Sequence, residues 1–172
     1  MTDALVDPAR RFGDTVGDAL VQIADSIGGP EAERLRHDAT LEAFNLSCGV
    51  LLADGRLSDD ELWALLAAFG PQLETQLGSA TPAALRDAGL ADQQRAFLDR
   101  PSEMFDVLVT ADAQHGTAHA RRYLERASDL AFAVASVDIH TSVQELDGIE
   151  RWRSLLLQAI DAMEAARRAT PP

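Results

Sequence analysis

The sequence contains no lysine: all 15 of its basic residues are arginine. A lysine Schiff base and a P-loop phosphate site both need that side chain, so both are excluded. Cysteine occurs once, at Cys48, which excludes an intrachain disulfide and any multi-thiolate metal site. Its setting in Leu46-Ser47-Cys48-Gly49-Val50 reads as a core thiol and not a reactive one. Aromatic residues make up only 5% of the chain, and Val, Ile, Thr and Tyr never form the alternating runs of a strand. No window approaches the ~18 uninterrupted apolar residues of a membrane-spanning helix. The start Met1-Thr2-Asp3-Ala4 lacks the basic and apolar regions of a secretory signal. The expected location is the cytoplasm, with no integral membrane segment; peripheral association stays open.

Positive charge is also scarce relative to negative. Asp and Glu number 28, giving a net charge of -13. Such a field repels phosphate backbones unless basic residues gather on one face. The pairs Arg10-Arg11, Arg121-Arg122 and Arg167-Arg168 are too small for that, so nucleic acid is not an expected partner. Catalytic motifs are missing as well: there is no Ser-His-Asp order with a nucleophile elbow, no Gly-rich phosphate loop and no Cys-His pairing. No catalytic residue is assigned, and the expectation is a protein that is not an enzyme.

What the chain does have is helical periodicity. Hydrophobic residues reach 47%, enough for a buried core in a chain of 172 residues. Phe12, Val16, Ala19, Leu20, Ile23 and Ile27 form an i, i+3, i+4 ladder that ends at Gly28-Gly29. A second helix is expected from Pro30 to Ala53, nearly all apolar after Ala43. A third, from Asp59, is expected to stop at Phe69 before Gly70-Pro71. Shorter helices are expected over 82–87 and 91–98, then one capped by Ser102, a long buried one from about Ala120 to Val137, and a last one to about Ala169. The domain reading is an N-terminal helix over 1–29, a helical domain over 30–169, and a linker or tail over 170–172.

One pattern occurs twice. Leu52-Ala53-Asp54-Gly55-Arg56-Leu57-Ser58-Asp59-Asp60-Glu61-Leu62 aligns without a gap on Ser136-Val137-Asp138-Ile139-His140-Thr141-Ser142-Val143-Gln144-Glu145-Leu146. Each copy follows a long apolar helix and opens an amphipathic one. Ser58 with Glu61, and Ser142 with Glu145, have the spacing of a capping box, which accounts for those four residues structurally. Asp54, Glu61, Asp138 and Glu145 are the candidate metal ligands, for calcium or zinc. The first copy matches the back half of an EF-hand loop, but Val50 and Leu52 stand where its first two carboxylates belong, so a true EF-hand is not expected. Asp112, His115 and His119 are a second, weaker zinc candidate, because Gly116-Thr117 reads as a helix start that leaves His115 in a loop. Trp63 and Trp152 both read as core or interface anchors.

A helix ending in Ala53-Asp54-Gly55-Arg56-Leu57-Ser58-Asp59-Asp60-Glu61-Leu62, with a weaker copy later, resembles the TerB-like helical domains of bacterial tellurite-resistance and stress systems. The resemblance spans roughly residues 30 to 165. It implies an all-α, pseudo-symmetric bundle of about seven to eight helices built on two helix-turn-helix repeats, with an acidic surface associated with divalent cations. The segment from His115-Gly116-Thr117-Ala118-His119 to Ser142 is similar to a subset found in front of AAA+ ATPase modules. That resemblance implies an interaction or regulatory domain that recruits protein partners or substrates for such a motor in a stress or defence system. The alternative it implies is a stand-alone cation-binding stress protein.

Overall fold

A computed structural model describes residues 4–137 and 142–169, and among them the chain forms seven α-helices, two short 3-10 turns and no strand. The helices are α1 (Val6–Ile27), α2 (Ala32–Leu51), α3 (Asp59–Leu77), α4 (Pro82–Asp87), α5 (Glu103–His115), α6 (His119–Ala135) and α7 (Val143–Ala169). Among the described residues, no helix is long and apolar enough to cross a membrane.

The core grows from the ladders read in the sequence. Phe12 of α1 meets Tyr123 of α6 edge to face at 5.1 Å, and Phe105 of α5 meets the same ring at 5.3 Å. Phe44 and Phe69 join α2 to α3 at 5.6 Å. The C-terminal half of α2, from Ala43 to Leu51, is buried apart from Asn45, as its apolar run predicts.

Two boundaries differ from expectation. Helix α3 runs through Pro71 to Leu77 instead of stopping at Phe69, and its stop is Gly78 in the left-handed region at φ 70°. A proline inside a helix costs about 3 kcal/mol. Phe69 and Leu73, both nearly fully buried, lie on either side of it and offset that cost by continuing the apolar face.

The second difference is over 91–98, where a helix was expected and two 3-10 turns form, Asp92–Gln94 and Phe97–Asp99. Packing overrides local propensity here. The Phe97–Asp99 turn is wedged between α2 and α7. A Cβ added at Gly49 of α2 would lie 2.9 Å from the Phe97 Cβ, and one at Gly148 of α7 would lie 3.5 Å from the Leu98 Cδ1. Two glycine notches therefore receive the turn, a close approach that a longer helix could not make.

Candidate functional site

The first turn is built by short-range hydrogen bonds. Asp54 Oδ1 accepts the Arg56 N–H at 2.8 Å, and Gly55 takes the left-handed conformation at φ 84° that this turn requires. Ser58 then opens α3 with the expected capping box: its Oγ accepts the Glu61 N–H at 3.2 Å, while Glu61 Oε2 accepts the Ser58 N–H at 2.6 Å. The second copy repeats the exchange at the start of α7, Ser142 N–H to Glu145 Oε2 at 2.7 Å and Glu145 N–H to Ser142 Oγ at 3.1 Å. Asp138, the remaining candidate ligand, lies outside the described residues, as do Ile139, His140 and Thr141.

The glutamate of the second turn feels the negative charge of the first. Glu61 and Glu145 are both buried. Burial pushes the Glu145 carboxyl above the usual carboxylate range, the two Ser142 bonds pull it back, and the negative charges of Glu61 and Asp54 push it up again. Glu145 of the second copy thus feels the charge of two candidate ligands from the first. Each is hydrogen-bonded through a single oxygen: among the described residues no donor reaches Asp54 Oδ2, Glu61 Oε1 or Glu145 Oε1. Among the described residues, however, no group of three or more His, Cys, Asp or Glu side chains is placed to hold a metal ion.

This arrangement has a pH signature. A carboxyl whose folded pKa is raised binds its proton more tightly in the folded state. Its contribution to stability is full below its unfolded value and is lost as pH rises through the folded one. Glu145→Gln keeps an acceptor for the Ser142 N–H and removes the charge facing Glu61 and Asp54. The variant is expected to melt roughly 1–3 °C higher than the parent at neutral pH, allowing for solvent screening, with the gap closing at about pH 4. Thermal melts across that window measure it.

The weaker zinc candidate is resolved differently. Asp112 is almost fully buried on α5, and both of its oxygens are taken: Oδ1 accepts the Thr117 hydroxyl and the His119 N–H at 2.8 Å, and Oδ2 accepts the Ala120 N–H at 2.8 Å. Its role is to cap α6 from the preceding helix. His115 is the last residue of α5, not a loop residue, and His119 is the first of α6, with Gly116 between them in the left-handed region at φ 71°. The two imidazoles therefore do not share one helical face. Burial pushes the His119 imidazole down, against the nearby charge of Asp112. Cys48 is fully buried, and burial raises its thiol far above the ordinary range, which keeps it protonated and unreactive.

A polar network in the core had no counterpart in the sequence reading. Glu42 of α2, 7% exposed, accepts the Tyr123 hydroxyl at 2.7 Å and the Ser102 hydroxyl, both through Oε1. Ser102 also caps α5 by accepting the Phe105 N–H at 3.1 Å. Burial pushes Glu42 up, and its two hydroxyl partners hold it down. Tyr123 falls inside the long buried helix that periodicity predicts, which says nothing of its hydroxyl, and the signal for Glu42 is a lone carboxylate at the start of an otherwise apolar run. Glu42 lines a cavity of about 970 Å³ between α2 and the segment leading from the 3-10 turns into α5.

No protein-family model, curated protein or solved structure matches this chain.

Proposed function

We propose that this chain is a non-catalytic interaction domain of the TerB-like type, in which two pseudo-symmetric helix-turn-helix repeats place their carboxylates around one divalent cation. What supports the reading is the capping box that recurs in both copies, together with the negative charge of Glu61 and Asp54 felt at Glu145. A cation would offset that charge and use the oxygens that accept no hydrogen bond among the described residues. The donors are all carboxylate oxygens, which suits calcium, a hard cation, and disfavours zinc, which prefers nitrogen and sulfur. Asp138 is the fourth ligand in this reading.

The partner surface is helical. Trp63 lies one turn into α3, two residues beyond Glu61, and is 53% exposed, an unusual position for a large aromatic unless a partner covers it. An AAA+ ATPase module in a bacterial stress or defence system is the partner class the family resemblance implies. The cation would fix the start of α3 and so the orientation of Trp63.

Calorimetric titration with calcium, and separately with zinc, tests the cation. Calcium is expected to bind with a dissociation constant of about 10⁻⁵–10⁻³ M, more tightly than zinc, and Asp54→Ala is expected to weaken it at least about tenfold. No heat at millimolar calcium would sink the reading.

A further inference from the structure

The Glu42 cavity is separate from the two turns and carries a binding reading of its own. Its floor is a carboxylate that the fold holds in place at some cost, since Glu42 is 93% buried by its 7% exposure and sits at the edge of the apolar half of α2. Both hydroxyl partners take Oε1; among the described residues no donor reaches Oε2. The solvent-facing part of the lining, which we call its mouth, is acidic: Asp99, Glu103 and Asp106 are exposed and Asp38 half-buried, and none of them has an ion-pair partner among the described residues. Among the described residues of the lining, Arg100 is the one cationic side chain. Leu20, Leu35, Phe97 and Met104, buried or half-buried, give the lining an apolar wall beside these charges.

From this layout we infer that the cavity binds an alkylammonium ligand, with one ammonium on Glu42 Oε2, an apolar stem against the wall and a second positive charge at the mouth. The chemistry of the donor decides between cations. A guanidinium prefers two carboxylate oxygens side by side, and Glu42 has only one to offer; an ammonium is a point charge that needs no such pair and can turn its other donors to water. An anion is excluded by five carboxylates against one arginine. A neutral ligand would leave the mouth charges unanswered. The same ammonium and stem occur on free diamines and on the lysine side chain of a protein, a residue this chain itself lacks.

Calorimetry with putrescine tests the site, with butanediol as the uncharged isostere, succinate as the anionic one, and a capped Lys-Leu-Lys peptide, which carries both charges, as the protein-borne source. Putrescine or the peptide is expected to bind with a dissociation constant of about 0.1–1 mM, and butanediol and succinate not at all. Glu42→Gln keeps an acceptor for the Ser102 and Tyr123 hydroxyls, and a thermal melt confirms that it folds. It is expected to weaken binding at least about tenfold. Asp129→Asn, which removes the same charge from the exposed face of α6, is expected to change binding by less than about twofold. Stronger binding by the peptide than by putrescine supports the site with a protein as source, and the reverse supports a free amine. Equal weakening by the two variants would reduce the effect to diffuse attraction by an acidic surface and overturn the inference. So would the absence of heat from both ligands at about 10 mM.

Discussion

Asp112→Ala is expected to cost the fold about 3–5 kcal/mol, among the largest effects of any single polar substitution in the chain. The residue is 1% exposed and accepts three hydrogen bonds, two of them from the backbone N–H groups of His119 and Ala120 at the start of α6. Ala118 at the cap position of α6 has no side chain to replace it. Removal leaves those donors without an acceptor in a buried place, loosens the α5–α6 connection and disturbs the helix that carries Tyr123. Asp112→Asn retains one acceptor oxygen and is expected to lose about half as much. Urea denaturation of the three proteins measures the order. A loss for Asp112→Ala below ~1 kcal/mol would mean that Asp112 is not the cap.

The second large effect separates the two tryptophans. Trp152→Ala is expected to destabilise by about 3–5 kcal/mol, because the ring is fully buried on α7 and rests against Phe97 at 6.3 Å. Its loss would also unseat the Phe97–Asp99 turn from the glycine notches on α2 and α7. Trp63→Ala is expected to change stability by no more than about 0.5 kcal/mol, since the ring is largely in solvent. Equal losses for the two would place Trp63 in the core and remove it as a partner contact.

Those residues also show where sequence reading succeeds and where it stops. Helix periodicity and capping chemistry are local, so the main helices and both capping boxes could be read directly. The same is true of Ser102, whose cap was expected. Asp112 was read as a zinc neighbour because its spacing to His115 and His119 was visible, whereas its bonds across the turn were not. Trp63 and Trp152 looked alike because amphipathic spacing gives a helix its face but not the neighbour that covers it. The Asp92–Asp99 segment failed for a related reason: its 3-10 geometry answers to notches at Gly49 and Gly148, far away in sequence. Glu42 is the same case in the core, since Tyr123, 81 residues away, supplies its second hydroxyl.

The repeated turn was legible as a pattern, but its electrostatic consequence was not. Spacing predicted that Ser58 and Glu61, and Ser142 and Glu145, would close helix starts, and they do. Only the packing of the helices puts Glu145 within the field of Glu61 and Asp54. Capping alone explains one oxygen of each glutamate. Under the proposed function, a calcium ion would offset the negative charge that Glu61 and Asp54 place at Glu145, at a gain in stability.

Thermal unfolding of the parent and of Glu145→Gln, each with and without saturating calcium at neutral pH, is the most direct measurement of that trade. Glu145→Gln is expected to start higher and gain almost nothing from calcium, while the parent starts lower and rises by about 5 °C or more. Equal calcium shifts in the two proteins, or none in either, would show that the paired turns do not hold a cation.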